Sequence, residues 1–139
     1  MEYNLNRFID AQSNVYERAV KELKQGRKTS HWMWYIFPQI QGLGYSSTAK
    51  FYAIASLGEA EEYMNNAVLG TRLIECCQLL LSLENKTAAD IFGSVDTMKL
   101  KSSMTLFSLV TDNPVFNQVL DKYFNGEKDN ATLDIVGNE

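Results

Sequence analysis

Several things are scarce in this chain of 139 residues. It has two cysteines, and they are neighbours, Cys76 and Cys77. That excludes a disulfide framework and leaves no metal-ligand spacing. No run of about 18 apolar residues occurs, so no membrane span is expected. Met1-Glu2-Tyr3-Asn4 lacks the basic and apolar regions of a secretory signal. A cytoplasmic, reducing location is the expectation. Only two prolines, Pro38 and Pro114, interrupt the chain, and no Ser/Gly-rich linker or repeat appears. There is one histidine, His31. Clean period-two alternation between hairpin turns is absent, which argues against a sheet. Phosphate-loop and dinucleotide glycine patterns are absent too. The net charge of −4 disfavours non-specific nucleic-acid binding.

What is present is helical spacing. Leu5, Phe8, Ile9, Gln12, Val15, Tyr16, Ala19, Val20 and Leu23 recur at three- and four-residue steps, and Gly26 stops them. Residues 62–83 repeat the pattern, with a break near Asn65-Asn66. Thr87 caps a turn that Gly93 closes. Ser94 caps the next helix, with Asp96 in its first turn. Asn113-Pro114 starts another, and Gly126 ends it. Trp34-Tyr35-Ile36-Phe37 is rich in strand formers, but Pro38 ends it at once. The expected fold is all-α, one compact domain over residues 1–139 with about six or seven helices. The polar tail at 127–139 is expected to fray, although Leu133, Ile135 and Val136 could dock.

One stretch departs from this background. Residues 26–44 hold both tryptophans, the only histidine, one proline and three of the eight glycines. Residues 23–58 contain no Asp or Glu but do contain Lys24, Arg27, Lys28 and Lys50. An acidic protein with an acid-free basic window is arranged to present positive potential somewhere. Thr29 or Ser30 is a good N-cap for a helix starting near His31. Its free N–H groups, with Arg27 and Lys28 just upstream, would suit a phosphate or carboxylate. Trp32, Trp34 and Tyr35 would add stacking surfaces. A second acid-free window carries Lys101, Ser102, Ser103 and Thr105 on a helix, where hydroxyls lower propensity.

The bland readings stand alongside. Tryptophans mostly pack cores, Ser30 can be only a cap, small hydroxyl residues permit close helix contact, and Cys76 and Cys77 read as core. Ser30 and His31 are sequence neighbours that point apart, so they are not a nucleophile–base pair. Zinc has too few ligands.

The chain resembles the DUF1810 family over nearly its whole length. The resemblance rests on Arg7-Phe8 with Ala11-Gln12, on Gly26-Arg27-Lys28, and on Ser30-His31-Trp32-Met33-Trp34-Tyr35-Ile36-Phe37-Pro38-Gln39. It continues through Gly42-Leu43-Gly44, Leu69-Gly70, Arg72-Leu73, Ile91-Phe92-Gly93, Asp96, Lys99-Leu100 and Ser102-Ser103-Met104-Thr105-Leu106-Phe107. It implies a mostly helical fold and carries over no catalytic residue. The calpastatin-like label attached to some members implies protease inhibition, for which these residues supply no reason. Members commonly have His-Pro before the Val-Leu-Gly step, where Asn66-Ala67 stand here.

The functional expectation is a pocket for a small anionic, phosphate-bearing or nucleotide-like ligand. Its lining would be Arg27, Lys28, Ser30, His31, Trp32, Trp34, Gln39, Lys101, Ser102 and Ser103. His31 is the candidate proton-transfer group should catalysis occur. No metal and no cofactor are expected. The alternative is a non-catalytic protein-interaction module with the aromatic segment exposed.

Overall fold

The computed structural model describes residues 3–138. The expected first helix is two helices, α1 (Asn6–Ser13) and α2 (Tyr16–Gln25). Asn14 and Val15 separate them. Asn competes for its own backbone and Val is stiff at Cβ, so neither resists a break. Val15 has φ −127°, off the helical value, and its N–H bonds back to the Gln12 carbonyl. The turn lets α1 bury Phe8 and Gln12 while α2 buries Ala19, Glu22 and Leu23. Gly26 ends α2 in the left-handed conformation, φ 74°, as its position after the last apolar residue predicts.

Two short helices follow, α3 (Met33–Ile36) and α4 (Ser47–Phe51). The strand-forming run before Pro38 is therefore one helical turn. No strand occurs among the described residues, only an isolated parallel bridge between Ile40 and Ile54. Next come α5 (Leu57–Asn65) and α6 (Leu69–Ser82). The break at Asn66 is made by its side chain, which accepts from the Val68 and Leu69 N–H groups. Helix α7 (Ala88–Ser108) opens with a capping box between Thr87 and Asp90. Gly93, with φ of 78° and ψ of 171°, is not helical, so the turn from Thr87 closes where the sequence expects, and α7 is two helical pieces on either side of that kink. Then come α8 (Val115–Phe124) and α9 (Asn130–Val136). The described residues thus form nine helices, not six or seven, because the first helix divides and α3, α4 and α9 are short. The tail does not fray over 130–136. Asp129 caps α9, and Thr132 and Val136 are buried. Glu139, the last residue of that tail, lies outside the described residues, as do Met1 and Glu2.

Helix α7 is central. It packs against α5, α8 and α9, while α6 packs against α2, α5 and α8. Rings of Phe8, Tyr63, Phe107 and Phe116 touch in series, at 5.1, 5.3 and 5.8 Å between centroids. Each such side chain contributes about 2–3 kcal/mol on burial. No helix among the described residues is long and apolar enough to cross a membrane.

The α5–α6 corner is the tightest backbone approach. A Cβ on Gly70 would lie 2.1 Å from the Met64 carbonyl oxygen. Gly70→Ala must therefore push two backbones apart. It should cost about 3 kcal/mol or more, read as a lower urea midpoint, and a change under about 0.5 kcal/mol would disprove the approach.

Candidate functional site

The segment 29–32 is organised by one carboxylate. Glu22, buried on α2, accepts from the Thr29 N–H at 2.7 Å and the Ser30 N–H at 3.0 Å. It also accepts from the Ser30 hydroxyl at 2.6 Å and the Trp32 indole N–H at 3.0 Å. Burial alone would raise the Glu22 pKa, but the bonds from Ser30, Thr29 and Trp32 outweigh it and hold it at about 2. The loop therefore is an oxyanion cradle, and its occupant is the chain's own side chain. Helix α3 begins only at Met33, has four residues, and has no side-chain cap at Trp32. The expected anion site at a helix start near His31 is thus absent, because the donors meant for it are used by Glu22.

A second cluster joins this loop to α7. The Lys28 ammonium lies 2.8 Å from Asp96, and Lys99 lies 3.3 Å from the same carboxylate. Lys28 is 5.2 Å from the Trp32 ring centroid and Lys99 is 4.5 Å from that of Trp34. Burial would raise the Asp96 pKa, but the two ammoniums lower it, Lys28 more than Lys99. Two cations share one anion, so the cluster keeps a formal charge of +1.

Beside Lys99 is a cleft of about 280 Å³. One wall is α7, through Val95, Met98, Lys99 and Ser102. The other is the 39–49 segment, through Gln39, Leu43, Gly44 and Ala49, and the start of α9 closes the end with Asp129 and Ala131. The volume is at the lower limit for a ligand pocket, so it suits a small molecule. The Gln39 amide donates to the Ser102 hydroxyl at 2.7 Å, and Ser102 donates to the Lys99 carbonyl. Two glycines let the 39–49 segment fold inward. Gly42 has φ 109°, and a Cβ on Gly44 would meet the Ala49 Cβ at 2.6 Å. The segment's far side is anchored by Arg7, which ion-pairs with Glu59 at 2.9 Å and donates to the Phe51 and Ala53 carbonyls. A narrow pocket of about 20 Å³ shares Gln39, Gly44 and Ala49 with the cleft as a lateral extension, and is lined also by Trp34, Lys50 and Tyr52.

The ten predicted lining residues do not converge. Trp34, Gln39 and Ser102 meet at the cleft and its extension. Ser30 lies instead at a cavity of about 440 Å³ beside α2, where Arg18 and Lys21 are balanced by Glu17 and Glu22. Neither the cleft nor that cavity is lined by Arg27, Lys28, His31, Trp32, Lys101 or Ser103. Arg27 and His31 are exposed. Trp32 is fully buried. Lys101 pairs with Glu127 at 3.6 Å and lies toward Phe124. Residues two apart on a helix point to opposite sides, so Lys99 reaches Trp34 and Lys101 does not. Ser103 is buried, and its hydroxyl has no partner among the described residues.

The sequence alone does not mark Glu22, Asp96, Lys99 or Asp129 as site residues. Lys99 had a signal, since it belongs to the same acid-free stretch of α7 as Lys101. Glu22 had none beyond standing next to the window it serves.

Among the described residues no histidine or carboxylate hydrogen-bonds Ser102. Burial pushes the Cys76 thiol up to about 12 and the Cys77 thiol higher than usual, which keeps both protonated. No group of three or more His, Cys, Asp or Glu among the described residues is placed to hold a metal.

A family model described as protein of unknown function (DUF1810) matches residues 2–136. The chain belongs to that family. It is similar to the conserved hypothetical protein Rv1873 from Mycobacterium tuberculosis, whose crystal structure aligns at 45% identity. The match covers 97% of each chain with a TM-score of 0.96. No curated protein matches the chain.

Two outcomes test this geometry. Glu22→Gln leaves one end of the side chain unable to accept, and should cost on the order of 2 kcal/mol near neutral pH. Because the folded pKa is depressed, this stabilisation is complete above about pH 5 and is lost as the pH falls toward 2. Urea unfolding of both proteins at about pH 7 and about pH 3 should show the gap narrowing. Ser103→Ala removes an unpartnered buried hydroxyl and favours the helix. It should raise stability by about 1 kcal/mol in the same measurement, and a loss would mean the hydroxyl has a partner.

Proposed function

We propose that this protein binds a small anionic ligand, bearing a phosphate or carboxylate, in the cleft between residues 39–49, α7 and the start of α9. The observation that carries this is the Lys28–Asp96–Lys99 cluster, whose surplus positive charge ends at the cleft wall. Lys50, at the extension, adds a cation without an ion-pair partner among the described residues. These three cations face two anions, Asp96 and Asp129, so the site carries about +1 in a chain of −4. Trp34 holds the Lys99 ammonium over its face, which limits the freedom lost when a ligand docks. Gln39 and Ser102 supply neutral hydrogen-bonding groups between the charged ends.

The site differs from the sequence expectation in its cations. Lys99 and Lys50 replace Arg27, Lys28 and Lys101 as the groups next to the ligand, and Lys28 acts through Asp96. His31 has no role in it.

A second reading, a protein-interaction module, has one observation in its favour. Val95 and Met98 on the cleft rim are 70% and 54% exposed, and nearby Tyr45 is 85% exposed.

Calorimetric titration with a panel of phosphate and carboxylate metabolites tests the proposal. Lys99→Gln should weaken any hit by about 10-fold or more, the size expected for a lost charged hydrogen bond. Arg27→Ala, His31→Ala and Lys101→Ala should each leave affinity within about 2-fold, since surface charges off the site act weakly. Absence of any hit, or an equal loss in Arg27→Ala, would overturn it.

A further inference from the structure

The cleft has a negative end as well as a positive one. Asp129 lines it together with Lys99, Ser102 and Gln39. Its backbone N–H donates to the Thr105 hydroxyl at 2.9 Å. Thr105 lies one turn beyond Ser102, which lies one turn beyond Lys99. At 1.5 Å per residue, the Lys99 and Thr105 backbones are about 9 Å apart along α7. The Asp129 backbone is thus tied to α7 at Thr105, about that far along the helix from the Lys99 backbone, with Ser102 and its Gln39 partner on the stretch between.

The Asp129 carboxylate is only partly used. The Thr132 N–H and hydroxyl both donate to Oδ2, at 3.0 and 2.6 Å. Oδ1 has no partner among the described residues, and the residue is half-buried. The start of α9 is not itself an anion site, because the donor there already faces Asp129. What that end of the cleft offers is a negatively charged acceptor. Gln39 adds a second acceptor, since its amide N–H is engaged by Ser102 and its carbonyl oxygen is not.

We propose that Asp129 is a specificity-determining residue of this cleft, selecting anionic ligands that also carry hydroxyl or amino donors several ångströms from the anionic group. The inference rests on the cleft reading above and adds the class of ligand: a hydroxylated phosphate in place of a bare or alkyl phosphate. An anion placed at the Asp129 end would meet a like charge. A ligand with its phosphate at Lys99 and its hydroxyls toward Asp129 meets a partner at each end. Oδ1 of this half-buried carboxylate gains a ligand donor only from a ligand that carries one, which favours that ligand.

Asp129→Asn provides the test. Asparagine caps a helix as well as aspartate does, so the variant keeps the Thr132 bonds and the fold. It exchanges the charged acceptor for a neutral side chain that presents a donor. The probes are glycerol 3-phosphate, propyl phosphate and inorganic phosphate, titrated into both proteins. In the parent protein glycerol 3-phosphate should bind about 10-fold or more tighter than propyl phosphate, the scale of one charged hydrogen bond. In Asp129→Asn that preference should vanish, while propyl phosphate and inorganic phosphate bind equally or more tightly because a like charge is gone. Phosphates that bind the parent protein without preference, or an equal loss of both esters in the variant, overturn the selection and leave the cleft standing. Failure of all three probes to bind the parent protein overturns the cleft reading and the selection with it.

Discussion

Two buried carboxylates hold the residues from which acids are absent. Glu22 and Glu59 are the first acids on either side of the 23–58 stretch, and each is inside, at 5% and 2% exposure. Glu22 gathers the 29–32 loop through four donors. Glu59 takes the Arg7 guanidinium and the Ala55 N–H. A buried carboxylate with fewer partners would protonate or unfold its surroundings, so its donors must come from chain that is itself free of competing acids. The charge asymmetry in the sequence is thus internal only in part. Of the window's four cations Lys28 pairs with Asp96, while its donors at Thr29, Ser30, Trp32 and Ala55 serve the two carboxylates at its borders.

That commitment changes what the aromatic motif is for. Trp32 spends its indole N–H on Glu22 and its rings on Phe37 and Phe92, at 6.2 and 6.5 Å. It is architecture. Trp34, two positions on, is only half-buried, and one face carries Lys99. The same division runs down α7. Met98, Ser102 and Thr105 share one face and meet the 39–49 segment and α9. Ser103, Met104 and Phe107 point into the core. A hydroxyl-rich run therefore serves two purposes one residue apart, and composition alone cannot separate them.

Much of the fold is legible in the sequence because its signals are local. Gly26 as a left-handed cap, the Asn66 turn, the Thr87 cap and the Asn113-Pro114 start each act within four residues, and each appears where spacing places it. The division at Asn14-Val15 was not legible. It has no glycine or proline, and it is imposed by the need to bury Phe8 and Leu23 in one core from a chain that must turn between them. The site was legible only in part for the same reason. Trp34, Gln39 and Ser102 were identified, but which lysine of α7 joins them depends on helix phase against a neighbour 63 residues away in sequence, as the Gln39–Ser102 bond shows. Glu22 was hidden because a carboxylate on an amphipathic helix looks solvent-facing until the loop that covers it is in place.

What is left over after these internal bonds is the best guide to function. Arg27 and His31 are the residues a motif search favours, yet both are exposed and neither lines the cleft or the cavity beside α2. The Ser103 hydroxyl is one buried group left unsatisfied, and it lies away from the cleft. The others with spare capacity are the Lys28–Asp96–Lys99 cluster, the exposed Lys50, the side-chain amide oxygen of Gln39 and Oδ1 of Asp129. Of these, Lys99, Lys50, Gln39 and Asp129 border the cleft or its extension. The fold settles nearly every other buried polar group internally and places a cation, Lys99, and a carboxylate, Asp129, on the lining of one opening, which is the feature that favours a partner polar at both ends in the reading proposed above.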